Sequence, residues 1–298
     1  MDSLLFLAIG LGVITRRFLN APENMVACVN WWLIHIALPC VVIRLMPALD
    51  LAHASLYPIL AMWVAFVVGA LVLAAIGRAF NWSRATVCTV ILVGGIGNTA
   101  FFGYPIVSSY YADQGLAIAV LSDQLGTFII LSTFGLALLA IGTGQKLTAK
   151  SMFKQVMSFP PMFALIIGLT VNFTYGPLPA WIDQPLSKMA ATLSPLALFS
   201  VGMQIKLKVV REELLPIFVG IGWKLIFAPL VVVALGYAVG AQTLAIQVTA
   251  LEAGMSTMIV AVILAQRAGL KGDLAVAILG YSIIASFATL PAIHYLLS

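Results

Sequence analysis

Among the ionisable side chains inside apolar stretches of this 298-residue chain, Asp123, Lys224 and Glu252 carry charges that suggest a function. Asp123 lies about ten residues and Lys224 about twelve residues into its stretch, so a helical rise of 1.5 Å per residue takes both toward the middle of a bilayer. Ionisable groups are costly there and are commonly functional. With Glu252 they carry two negative charges and one positive, a sum that one bound monovalent cation would neutralise. The alternative is a purely structural ion pair between Asp123 and Lys224.

Two short polar sequences interrupt apolar stretches and supply further candidate groups. Asn98-Thr99 follows a run of glycines and precedes a proline, and Ser256-Thr257 follows Glu252 closely. This composition predicts half-helices joined by unwound backbone. Exposed amides at the start of a second half-helix attract an anion, and exposed carbonyls at the end of a first one attract a cation. Glu252 is predicted near such an end, where it would hold Na+ or a proton. The alternative is close helix packing at the glycines with a proline kink.

The elements that carry these residues are predicted to be membrane-spanning helices. Hydrophobic residues make up 62% of the chain and charged residues 8%, and the mean hydropathy is +1.11, values typical of a membrane protein. The apolar runs lack the alternation of barrel strands, so we expect an all-α polytopic protein. Ten runs are counted, at approximately 3–18, 26–46, 55–79, 85–111, 114–142, 157–175, 186–206, 213–240, 243–268 and 273–297.

An internal repeat relates the two halves of the chain. Residues 85–121 align without a gap on 243–279 at a constant shift of 158, which sets L-A-I-A-V-L against L-A-V-A-I-L. Five spans in each half is an odd number, so the second copy must be inverted relative to the first, as in many secondary transporters. We therefore predict a first five-helix repeat at 1–142, a cytoplasmic connector at 143–151 and an inverted repeat at 152–298. The broken fourth and ninth spans are expected to cross.

Lysine and arginine positions orient the predicted spans. Every second connection along the chain is basic, and by the positive-inside rule these connections are cytoplasmic. Both termini are then non-cytoplasmic, and the protein is a multi-pass component of the plasma (inner) membrane. The formal net charge of +5 follows from this topology, so no nucleic-acid partner is predicted.

Three motifs in the chain resemble those of the auxin efflux carrier family. They are Asn98-Thr99-x-x-x-Gly103-x-Pro105, the sequence A-L-F-S-V-G-M at 197–203 and A-Q-R-x-G-L at 265–270. The resemblance covers essentially the whole chain. It implies ten helices, a scaffold set against a mobile elevator part, crossing broken fourth and ninth helices, and transport of small organic anions.

Residue roles follow from the same resemblance. It implies that Asn98 contacts the substrate carboxylate and that Pro105 marks the crossover, which leaves open whether the fourth helix breaks at Asn98 or at Pro105. One departure is visible in the ninth span. Family members usually have a proline in that crossover, where this chain has Ala261 or Ile263.

The sequence E-A-G-M-S at 252–256 is instead similar to the sodium-binding crossover of the bile acid sodium symporter family. That resemblance implies a Na+ site. Its ligands would be Glu252, Asn98, Ser122 or Asp123, and Thr127. Ser256 replaces the glutamine that is usual there, so a second Na+ site is not expected.

These observations together predict a secondary active transporter of a small organic anion, coupled to Na+. The alternatives are H+ coupling, uncoupled export of an auxin-like carboxylate and, from another class, an anion channel. No G-x-S-x-G or H-E-x-x-H motif is present, so an enzyme is not predicted. The expected partners are the anion and the lipid bilayer, with no organic cofactor and with a homodimer left open. The predicted substrate-binding residues are Asn98, Thr99, Pro105, Ser256, Thr257 and Lys224.

Overall fold

A computed structural model describes residues 3–48, 56–144, 160–205 and 213–298. These residues form helices and, among themselves, no strand beyond one isolated bridge. In chain order the helices are α1 (Ser3–Phe18), α2 (Met25–Ala48), α3 (Tyr57–Ala79), α4 (Arg84–Gly95), α5 (Thr99–Thr143), α6 (Pro160–Thr174), α7 (Ala180–Gln204), α8 (Leu214–Ala238), α9 (Thr243–Ala253), α10 (Ile259–Ala268) and α11 (Gly272–Leu297).

Six of these helices are long and apolar enough to cross a membrane, namely α2, α3, α5, α7, α8 and α11. The apolar helices α4, α6, α9 and α10 are shorter. A bilayer needs about 20 apolar residues in one helix, so α4, α9 and α10 are too short to cross alone. The all-helical character is confirmed for the described residues, and six of the predicted helices have the length and composition of membrane spans. The arrangement of ten spans as two inverted repeats stays a prediction.

The helix boundaries follow the predicted apolar runs, with two interruptions. The fourth run contains all of α4 except its first residue, together with the start of α5, and the ninth run contains α9 and α10. Within α5, Ala112 has non-helical backbone angles (φ 50°, ψ −150°) in the predicted gap between the fourth and fifth runs. Most of the predicted connector, 145–151, lies outside the described residues, so the division into halves stays a prediction.

The chain forms two compact units, each assembled from separate stretches. Unit 1 contains described residues 3–48, 100–120 and 160–205. In it, α1 packs directly on the backbone of α7, because a Cβ at Gly12 would lie 2.2 Å from the carbonyl oxygen of Phe199. The Arg44 guanidinium pairs with Asp113 at 2.7 Å and with Asp183 at 3.3 Å. These contacts join α2, α5 and α7 within the unit.

Unit 2 contains described residues 56–99, 121–144 and 213–298. Glycines again permit close crossings: a Cβ at Gly94 of α4 would lie 3.2 Å from the Gly220 backbone of α8, and Gly69 of α3 accommodates the Trp223 indole. The Tyr57 hydroxyl donates to the Val232 carbonyl at 2.7 Å. Small residues at such crossings bring the helices of this unit within hydrogen-bonding reach of one another.

The contact between α1 and α7 predicts that a larger side chain at Gly12 lowers the stability of the protein, whereas one at Gly10 does not. Gly12→Leu should lower the free energy of unfolding by about 1–3 kcal/mol, because the added side chain meets backbone that has to shift. Gly10→Leu, two residues away on the same helix, is the matched control, since a Cβ there has nothing within 4 Å. Thermal unfolding of both variants in detergent measures the difference. Equal melting temperatures would contradict the close contact.

Candidate functional site

The two helix interruptions of unit 2 hydrogen-bond to each other. The Asn98 N–H donates to the Ser256 carbonyl at 2.7 Å, and the Met258 N–H donates to the Ile96 carbonyl at 3.0 Å. Gly97 lies opposite Thr257 in this short antiparallel bridge. Backbone that leaves a helix at membrane depth must be satisfied within the protein. Each break supplies the missing partners of the other.

The structure defines the position of the first break. Residues 96–98 separate α4 from α5, so the break is centred on Gly97, includes Asn98 and does not include Pro105. Pro105 belongs to unit 1 and lies within α5, two residues after a π-helical turn at Thr99–Gly103. A proline lacks the N–H that would continue regular helical bonding, which accounts for a widened turn before it.

Thr257 ties the second break to the rest of unit 2. Its hydroxyl donates to the Val93 carbonyl at 2.8 Å, and its N–H donates to the Ser282 hydroxyl at 3.1 Å. The Ser282 hydroxyl donates in turn to the Leu279 carbonyl at 2.9 Å. Thr257 therefore has a structural task at this place. Its predicted role in substrate binding stays a prediction.

The carboxylate of Asp123 is stabilised by hydrogen bonds. The Thr99 hydroxyl donates to one carboxylate oxygen, and the Gln124 side-chain amide donates to the other at 2.7 Å. Asp123 lies in a π-helical turn, Ser122–Thr127, and is 2% exposed. Hydrogen bonds to a buried carboxylate compensate much of its lost hydration.

The carboxylate of Glu252 has no such compensation. The residue is fully buried one position before the end of α9, and neither carboxylate oxygen accepts a hydrogen bond from the residues that the structure describes. It interacts electrostatically with Asp123 and with Lys224. A buried carboxylate without hydrogen bonds is strongly unfavourable when it is charged.

Lys224 lies beside this carboxylate but bonds elsewhere. Its ammonium donates to the Ala253 carbonyl at 2.7 Å, at the carboxyl end of α9. Gly97 makes room for it, since a Cβ there would lie 2.6 Å from Nζ. The side chain is buried in a π-helical turn, Trp223–Phe227, of α8. The structure thus joins Lys224 to both breaks, and Ala253 provides its hydrogen bond in place of a carboxylate.

Further buried polar atoms of unit 2 have no hydrogen-bond partner among the described residues. They include the side-chain amide nitrogen of Asn98 and the hydroxyls of Ser256 and Thr127. Native structures satisfy about nine-tenths or more of such atoms, and two of these, on Asn98 and Ser256, lie at the breaks themselves. Ser122, the remaining predicted ligand, is also buried in this unit. The roles assigned to these side chains stay predictions.

Sequence inspection missed the π-helical turns that carry three of these residues. Thr99, Asp123 and Lys224 each lie in such a turn, and π-turns occur frequently at functional sites. One carbonyl of the second turn, that of Leu125, accepts a hydrogen bond from the Trp63 indole at 3.0 Å. For two of the three turns the sequence did offer a signal, namely an ionisable residue, Asp123 or Lys224, within an apolar run.

Comparison with known proteins identifies the family of this chain. The family described as membrane transport protein, the auxin efflux carrier family, matches residues 4–294. The chain belongs to this family. The resemblance inferred from the motifs is therefore confirmed, and the protein is a multi-pass membrane transporter by family.

Two curated relatives are also transporters. One from Methanothermobacter thermautotrophicus, described as an uncharacterized transporter, is 27% identical over 291 residues, which cover 94% of this chain and 92% of that protein. An uncharacterized transporter of Methanocaldococcus jannaschii is 28% identical over 125 residues, which cover 41% of this chain and 40% of that protein. Both similarities agree with the family assignment.

Two threonines of α5 provide a matched test of the site's hydrogen bonds. Thr99→Val should lower the free energy of unfolding in Na+-free buffer by about 1–3 kcal/mol, because the buried Asp123 carboxylate loses a donor. Thr127→Val should not, because its buried hydroxyl has no partner among the described residues. Thermal unfolding of the two variants with choline replacing Na+ gives the comparison. A larger loss for Thr127→Val would show that the hydrogen-bond assignment is wrong.

Proposed function

We propose that this protein is a secondary active transporter that moves a small organic anion, a carboxylate, by alternating access with Na+ as co-substrate. The observation that carries the proposal is the buried Glu252 carboxylate at the end of α9, with both oxygens lacking hydrogen bonds among the described residues. Transporters with broken helices bind substrate and coupling ion at such interruptions. Unit 2, which carries both breaks, would be the moving part.

The cation site that we propose is formed around Glu252. The candidate ligands are the predicted set of Glu252, Asn98, Ser122, Asp123 and Thr127, all of which are buried in unit 2. The carboxyl end of a half-helix and unwound carbonyls favour a cation. One bound Na+ would neutralise the excess negative charge of Asp123, Glu252 and Lys224 taken together. A proton on Glu252 would do the same, so H+ coupling is the alternative.

The anion site that we propose is formed around Asn98 and Ser256. The Asn98 amide nitrogen and the Ser256 hydroxyl are both buried donors without a partner among the described residues, and a backbone hydrogen bond holds the two residues together. Asn98 directly precedes α5, where the helix dipole favours negative charge. The positive charge of Lys224 lies against the same break. These features suit a carboxylate.

The inverted-repeat architecture is part of the proposal. The first half-helices end at Gly95 and Ala253, 158 positions apart, as the sequence alignment requires. The second half-helices begin at Thr99 and Ile259, 160 positions apart, because the second break is two residues longer. The backbone bridge has the same spacing of 160 positions, because its two donors are the N–H groups of Asn98 and Met258. A local two-fold relation between the breaks supports, at this place, the repeat proposed for the whole chain.

The function is tested by thermal shifts and by uptake into proteoliposomes. Mono- and dicarboxylates are screened against the wild type with and without Na+, and at least one should raise the melting temperature more when Na+ is present. Ser256→Ala should weaken the carboxylate shift while keeping the Na+ shift, whereas Asn98→Ala removes a group of both proposed sites and should weaken both shifts. Glu252→Gln should lose the Na+ shift, because it keeps the size of the side chain and removes its charge.

The outcomes separate the couplings. If a pH gradient drives carboxylate uptake and Na+ has no effect on it, the coupling ion is H+ and not Na+. Flux that neither saturates nor shows counterflow would indicate a channel. No shift with any carboxylate, combined with wild-type behaviour of Asn98→Ala and Glu252→Gln, would remove the proposed site.

The topology has its own test. Cysteines introduced at Gly144 and at Gln242 should react with membrane-impermeant reagents from opposite faces, with the former on the cytoplasmic face, because the repeats are inverted. Labelling is measured on right-side-out cells and on inverted vesicles. Reaction of both positions from the same face would contradict the inverted repeat.

A further inference from the structure

Lys224 has two potential acceptors on adjacent residues of α9. Its ammonium now donates to the Ala253 carbonyl, and it interacts electrostatically with Glu252, the preceding residue. A lysine carries a compact charge on a flexible stem with rotatable donors, so its ammonium can exchange acceptors by a change of side-chain rotamers.

The backbone around Lys224 is held by packing. Trp223, its neighbour in the π-helical turn, fills the space over Gly69 so closely that a Cβ there would lie 2.3 Å from the indole nitrogen. Gly97 lies against the ammonium end of the Lys224 side chain. A Cβ added at Gly97 would lie 2.6 Å from Nζ and 2.9 Å from Cε of Lys224. The turn is therefore fixed on one side, and the ammonium is positioned by a glycine on the other.

The two carboxylates differ in their need for this ammonium. Asp123 accepts hydrogen bonds from Thr99 and Gln124, whereas neither oxygen of Glu252 accepts one within the described residues. A positive charge near Glu252 is favourable when no other cation is there, because an unpaired buried charge is unfavourable. When a cation binds, two positive charges beside a single carboxylate repel each other, and the Ala253 carbonyl offers the ammonium another partner.

We infer that Lys224 is a tethered competitor of the co-transported cation for the Glu252 carboxylate. Its ammonium pairs with Glu252 in the cation-free site and occupies the Ala253 carbonyl when the cation is bound. The inference rests on the proposed cation site at Glu252. Lys224 is then a positioning residue that sets the affinity of the site for the cation, and its charge keeps Glu252 compensated when the cation leaves.

The test is a Na+ titration of thermal stability and of tryptophan fluorescence, at constant ionic strength with choline as the replacement ion. Lys224→Met removes the competitor and should raise the apparent Na+ affinity tenfold or more. Gly97→Ala keeps the lysine but takes the space that its ammonium occupies beside the Ala253 carbonyl. If the alternative acceptor is Glu252, as we infer, this variant should lower the Na+ affinity. In the Lys224→Met background, Gly97→Ala should have no effect.

The control is Lys271→Met. Lys271 pairs with Glu213 at 3.0 Å in the same unit but is half-exposed, so its loss should leave the Na+ titration unchanged. An unchanged or lower Na+ affinity in Lys224→Met, or an equal effect of Gly97→Ala with and without the lysine, would overturn the inference. If Lys224→Met does not fold, an unchanged Na+ affinity in Gly97→Ala overturns it equally.

Glu252→Gln separates this inference from the proposed function. If that variant keeps the Na+ response of the wild type, or if the wild type has none, the cation site itself is wrong and the inference falls with it. If Glu252→Gln loses the Na+ response and Lys224→Met fails to gain affinity, the cation site stands and only the competition is wrong.

Discussion

Backbone amides and carbonyls inside a bilayer have no water to bond with, and this constraint shapes the centre of the protein. Breaking a helix there frees several such groups at once. The chain satisfies them by opposing two breaks, so that Asn98 bonds to Ser256 and Met258 bonds to Ile96. A break in either helix alone would leave these groups without partners. The two interruptions are therefore stable only as a pair, and the surrounding helices of unit 2 serve to hold that pair.

The same arrangement concentrates polar groups at one place in an apolar protein. The residues beside the breaks fall into two classes. Asp123 and Thr257 have their hydrogen bonds satisfied within the unit and support its structure. Glu252, Asn98 and Ser256 carry buried atoms that have no partner among the described residues. Retaining such groups lowers stability, and under the proposed function a bound ligand would supply their missing partners.

Glycines make these close approaches geometrically feasible. Gly97 admits the Lys224 ammonium to the bridge, and Gly94 admits the Gly220 backbone of the neighbouring helix. In lipid, helices associate through close packing because the hydrophobic effect does not distinguish one apolar surface from another. The glycines thus allow the helices of unit 2 to approach closely enough to position charges. In unit 1, Gly12 has the corresponding role between α1 and α7.

The sequence by itself determined the elements of the fold and the types of residue at the site. Apolar runs close to the length that crosses a bilayer predicted the helices, because the thickness of the bilayer sets the length of any helix that crosses it. Glycines beside Asn98, and Glu252 within an apolar run, predicted the two breaks, because both are unfavourable in a continuous membrane helix. The family followed from three motifs, of which one begins at Asn98 and the other two lie at 197–203 and 265–270.

The tertiary structure decided the partners and the register. The sequence alignment makes Asn98 equivalent to Ser256, at a shift of 158. In the structure the second break is two residues longer, so the two equivalent donors of the bridge, Asn98 and Met258, are 160 positions apart. The bond of Lys224 to Ala253, and the difference between Asp123 and Glu252, depend on side chains from separate helices. The compact units likewise combine distant stretches of the chain. Local composition sets where a helix can break, whereas the contacts between helices determine which polar groups are satisfied and which remain available for a ligand.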